Sequence, residues 1–170
     1  MISKPKNINT ESYYESYIGK VPESDLANAF INSEKATVSL FNSVPQGKED
    51  FAYAEGKWTV KQLFQHLIDC ERILCYRALT MARNDQTNLA GFDENLYVDN
   101  DYSSERSLAE ISDEFSLVRK GTIALFESFN TEALDFEGLA NDVKMTPRII
   151  GWFLVGHNIH HINVLKERYL

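Results

Sequence analysis

The stretch SLAEISDEFSLVRKGTIALFESF, residues 107–129, sets Leu108, Ile111, Phe115, Val118, Thr122, Leu125 and Phe129 three and four positions apart. That spacing puts them on one face of an α-helix about six turns long. Ser107 and Glu110 stand at the positions of a capping box, in which the hydroxyl and the carboxylate satisfy free amides at the helix start. The same period recurs elsewhere in the chain, and no segment alternates apolar and polar residues as a half-buried strand does. The fold class is therefore expected to be all-α.

Three further segments follow the pattern. A helix begins at Thr59, with Gln62 completing its cap, and carries Leu63, Leu67, Cys70, Leu74, Ala78 and Met81 on one side before ending near Asn84. Another begins at Thr146, with Pro147 at the first helical position where a missing N–H costs nothing, and runs to about Arg168. The first helix, about Ser24 to Val44, lies between Pro22 and Pro45 with Leu26, Phe30, Leu40 and Phe41 inward; Ser33 and Thr37 weaken the centre of its stripe. Four such helices bury their stripes most simply against each other in a four-helix bundle. The 170 residues, 44% hydrophobic, suit one domain spanning 1–170, with residues 1–22 as an N-terminal extension. The connection between the second and third helices, Asn84 to Arg106, is long. Its Leu89, Phe92, Leu96, Tyr97 and Val98 suit either a packed surface loop or a cover over a site.

The formal charge of −8, with no long Lys/Arg run, creates a field that repels phosphate and argues against nucleic-acid binding. The longest strongly apolar run, residues 149–156, is far below the ~20 residues that span a bilayer, and the N-terminal residues form no signal-peptide core. No membrane association and a cytoplasmic location are expected. Cys70 and Cys75, about 140° apart on one helix, are read as separate reduced thiols.

Three of the four histidines fall in GHNIHHINVL, residues 156–165. Ile150, Phe153, Leu154, Val164 and Leu165 mark the inward direction of that helix, and His157 and His161 lie within the stripe. His160 falls about 60° to one side, where it can reach water. His66 faces inward from the second helix. An i, i+4 pair with a third imidazole from a facing helix matches the three-ligand pattern of catalytic zinc sites. It is not the metalloprotease arrangement, because Asn158 occupies the place of the general-base glutamate. The competing reading is core histidines satisfied by carbonyls or by Asp69 and Glu71.

The blocks KWTVKQLFQHLIDCERILCYRAL, GFDENLYV, the S-L-x-E-x-x-x-E-F segment at Ser107 and TPRIIGWFLVGHNIHHINVLKERYL together resemble the DinB-like (YfiT-like) superfamily of metal-dependent enzymes, from about Tyr13 onward. The resemblance implies a four-helix bundle and a divalent metal, commonly nickel or zinc, held by His66, His157 and His161. It also implies a homodimer acting on a small molecule. In some members the chemistry is transfer of a low-molecular-weight thiol to an electrophilic carbon, and in others metal-assisted hydrolysis; a non-catalytic dimeric binding module is the third possibility. Thiol S-transfer is the preferred expectation. Asp69, one turn after His66, could orient a ligating ring or be a solvated acid. His160, Asp93 and Glu94 are candidates for substrate or supporting contacts, the two loop acids being equally suited to capping a turn.

Overall fold

The computed structural model describes residues 1–6 and 12–170; residues 7–11 of the N-terminal extension lie outside the described residues. Six α-helices carry the fold: α1 (Ser12–Ile18), α2 (Leu26–Phe41), α3 (Val60–Ala82), α4 (Glu94–Asp99), α5 (Leu108–Glu127) and α6 (Pro147–Arg168). The four long ones form the bundle. Helix α3 packs on α5 and α6, and α2 packs on the same two, so α2 and α3 lie across one diagonal and α5 and α6 across the other.

The helix starts are set by local chemistry. Thr59 with Gln62, and Ser107 with Glu110, form complete capping boxes, and the Thr146 hydroxyl accepts from Ile149 N with Pro147 behind it. Asp25 caps α2 and also accepts from Ile2 N at 2.9 Å, which ties the first residues onto the bundle. Among the described residues no helix is long and apolar enough to cross a membrane.

Two sequence expectations change. The inward face of α5 is rotated from the one read above: Ile111, Phe115, Arg119, Thr122 and Phe126 are buried, while Val118 and Leu125 are only partly so. Arg119 displaces the apolar stripe because its guanidinium makes a two-pronged pair with Glu71, at 2.7 Å on each oxygen, and donates to Phe30 O at 3.2 Å. Phe30 and Phe115 cover it from two sides, each ring centre 5.1 Å away. A charge so deep is tolerated only when paired and hydrogen-bonded. The second change is a short antiparallel hairpin, β1 (Gly138–Ala140) and β2 (Val143–Met145), where the sequence reading foresaw no strand. Its turn residues Asn141 and Asp142 have φ of 53° and 61°, the left-handed pair of a tight hairpin that Asn and Asp tolerate best.

The long connection is neither fully packed nor free. Leu89 bridges to Ala140 of the hairpin, and Leu89 and Val98 are buried, whereas Leu96 and Tyr97 are exposed on α4. The N-terminal extension contains α1, which lies along α6. It comes close because Gly156 has no side chain at the crossing.

Candidate metal centre

Helix α6 carries His157 and His161 one turn apart, and α3 presents His66 to them across the bundle. The Nε2 of His157 lies 3.3 Å from that of His66 and 3.0 Å from that of His161. One donor atom from each residue can be chosen so that all lie within 4.8 Å of one another. With metal–nitrogen bonds of about 2.1 Å, two nitrogens on one ion stand about 3.0 Å apart at a right angle and about 3.4 Å apart in a tetrahedron. Both measured spacings fit a shared ion.

The protonation of the three rings points the same way. Burial lowers His66 to about 4, and burial with the neighbouring imidazoles lowers His161 to about 3; His157 is pushed well below the usual histidine range by burial and then by His161 and His66. All three are neutral at ordinary pH, the form that donates a lone pair to a metal. Hydrogen bonding alone does not satisfy them, since the buried Nδ1 of His161 has no partner among the described residues. The residues present fit a divalent ion.

The rings line a cavity of about 330 Å³. Trp58 packs on His66 with centroids 4.7 Å apart, and Phe153 on His157 at 5.6 Å. Tyr17 of α1 faces His157 at 5.9 Å, while Tyr13 and Tyr14 extend the aromatic wall outward. Cys70 Sγ sits 3.5 Å from His66 Nε2, a free thiol that burial raises to about 12. Cys70 follows His66 by four residues, but the aromatic residues escape a search for ligands. Tyr13, Tyr14 and Tyr17 sit in the extension, where the only clue was their helical spacing. Trp58 is the residue before the Thr59 cap.

The other sequence candidates separate. Asp69 is not brought to a histidine: it accepts from Gln65 Nε2 at 3.0 Å and lines a larger open groove of about 680 Å³ with Arg72, Tyr102 and Arg106. That groove contains no histidine, so its size does not make it the chemical site. His160 stays outside the three-ring cluster, half-buried and edge-on to Tyr17 at 5.2 Å. Asp93 caps α4, accepting from Asn95 N and Leu96 N. Glu94, the next residue, lines the histidine cavity. Glu71 is committed to Arg119, and Asn158 points away from the rings, its Oδ1 accepting from Ser33 at 3.2 Å and Thr37 at 2.8 Å. These contacts explain the polar centre of the α2 stripe: it fixes the rotation of α6 that aims the histidines.

The DinB superfamily model matches residues 29–165. Among solved structures, YfiT from Bacillus subtilis, described as "a probable metal-dependent hydrolase with an unusual four-helix bundle topology", aligns over 96% of this chain and 90% of its own. The TM-score is 0.71 at 18% identity. A DinB-like protein from the same organism aligns over 85% of this chain and 89% of its own, with a TM-score of 0.59 at 17% identity. At these identities the two likenesses carry the fold. A comparison with curated proteins finds no match.

Proposed function

Since this chain belongs to the DinB superfamily, we propose that it is a metal-dependent enzyme in which His66, His157 and His161 hold a divalent ion, nickel or zinc, and that it transfers a low-molecular-weight thiol to an electrophilic carbon. The observation that carries this reading is the convergence of three neutral imidazoles on the wall of an aromatic cavity. A divalent ion held by these three rings would supply a positive charge able to deprotonate a thiol outright or to lower the pKa of water to about 7.

The chain's own residues do the rest. The imidazoles bring no negative charge, so the full charge of the ion would act on the nucleophile. Trp58, Phe153 and Tyr17 set apolar ring surface against the imidazoles, which strengthens electrostatic attraction there. The metal-competent cluster itself contains no carboxylate and Asp69 is turned away, while Glu94 on the same cavity is exposed. A thiol gives up its proton more readily than water and depends less on a base beside the ion, which favours sulfur. In the transfer the sulfur lone pair forms the C–S bond, the leaving group departs with the electrons of its own bond to carbon, and the thiol proton passes to solvent.

Hydrolysis is the second reading, favoured by the description that YfiT carries. Elemental analysis of untagged protein, followed by electrophile panels with and without added thiols, separates the two. Thiol-dependent consumption that is lost in His157→Ala supports S-transfer; thiol-independent ester or amide cleavage supports hydrolysis. Protein that takes up no metal overturns both.

A further inference from the structure

Three cationic side chains are buried among the described residues, Lys61, Arg77 and Arg119. Arg119 is paired with Glu71 and Lys61 with Asp50. Arg77 has no carboxylate within ion-pair distance among the described residues. It is 7% exposed, donates one N–H to Ala90 O at 2.8 Å, and lies over the Phe92 ring at 5.7 Å. A guanidinium has five N–H donors and remains charged in proteins; the Ala90 carbonyl takes one, and none of its nitrogens is sealed from solvent without a partner, so donors stay accessible to a ligand.

Arg77 lines the same cavity as the three histidines. It follows His66 by eleven residues, which brings it within about 20° of the same face of α3 and about 16 Å farther along the axis. Cys70 lies between them on that face. The cavity thus has a metal-competent end and a cationic end, joined by aromatic walls. Glu94, also on the cavity, is exposed and unpaired with Arg77, and it disfavours a doubly charged group near the mouth.

We propose that this cavity takes an elongated small-molecule carboxylate, its carboxylate held by Arg77 and its reacting end placed against His66, His157 and His161. The geometry suits a singly charged group held by the guanidinium fork and an apolar or thioether-like middle against Phe92, Leu74 and Phe153. Arg77 is then the residue that selects substrates by charge and length. The identity of the reacting end rests on the metal-centre reading above; the anion site does not.

The test uses cobalt(II)-loaded full-length protein titrated with ω-mercaptocarboxylates, from mercaptoacetate to mercaptooctanoate, and with neutral ω-mercaptoalcohols of the same lengths. Thiol binding is read from the visible cobalt spectrum. Longer carboxylates should bind at least about 10-fold tighter than their neutral counterparts, and mercaptoacetate, too short to span the cavity, should show no such gain. Arg77→Gln should erase the difference while neutral thiols and metal content stay as in the parent, and Arg77→Lys should keep part of it. Equal binding of charged and neutral thiols by the parent protein overturns the proposal. So does an equal loss for both classes in Arg77→Gln, which would mark Arg77 as structural. If cobalt does not bind, the metal centre fails and the anion site is decided by calorimetry of metal-free protein with octanoate. Binding that disappears in Arg77→Gln upholds it, and no binding by the parent overturns it.

Discussion

The carbonyl oxygen of Tyr17 occupies the space in which a side chain on Gly156 would begin: a Cβ there would collide with it. Helix α1 reaches α6, and its tyrosines reach the cavity, through that single gap. The contact is with backbone, which cannot swing aside as a flexible side chain does.

Gly156→Ala is accordingly expected to push α1 off α6 while leaving the three histidines in place. Overpacking of this kind costs about 1–3 kcal/mol. Limited proteolysis should then cut near residues 12–22 much faster than in the parent, with metal stoichiometry retained. An unchanged proteolysis pattern would show that α1 is not held by this crossing.

Replacing His66, His157 or His161 by Ala is expected to abolish stoichiometric metal, because each loss leaves two imidazoles where affinity depends on ligand number. His160→Ala should keep most of it, its ring being outside the cluster. Elemental analysis paired with a thermal melt checks each variant. Metal lost from His160→Ala but kept by His157→Ala would contradict the orientation of α6.

In metal-free protein the depressed histidines impose a pH dependence with a definite sign. His66 and His161 bind protons only near 4 and 3 when folded, against 6.5 ordinarily. Between those limits the unfolded chain takes up protons that the folded chain refuses, so stability should be full above about pH 6.5 and fall as pH drops toward about 3. Urea midpoints across that window measure it. His66→Ala and His161→Ala should each flatten the profile, and a flat profile in the parent would refute the assignment.

Arg119→Met is expected to destabilise the protein by about 3–5 kcal/mol, since it strands the Glu71 carboxylate in the core. Adding Glu71→Leu should recover most of the loss. Urea unfolding of the single and double variants decides; a double variant no better than the single would mean that the pair does more than neutralise itself.

Legibility in the sequence followed the range of the interactions. Caps and periodicity are local, so Ser107 with Glu110, Thr59 with Gln62, and Pro147 mark the long helices in advance. The i, i+4 spacing of His157 and His161 likewise puts two rings on one face without any knowledge of the partner helix. Arg119 defeats the same logic: its burial depends on Glu71 from another helix, which no local pattern reveals, and the apolar face of α5 was therefore read one step off. Asp69 shows the limit in reverse. A position one turn from His66 permits a contact, but Gln65, on the same helix, captures the carboxylate first. The tyrosines of α1 became part of the cavity only through Gly156, a position whose role is fixed by a neighbour 139 residues earlier.

The residues that converge at the centre are far apart along the polypeptide, His157 lying 91 positions after His66. A nascent chain that has exposed only α3 offers a single imidazole and holds an ion weakly. Tight binding would begin only once α6 has docked on α3. An ion bound there would work as a clasp across the chain, closing a loop whose ends would otherwise have to find each other by diffusion. A chain in which α6 docks in the wrong rotation would present His66 alone, so retention of an ion would report that the two helices have met in the right register.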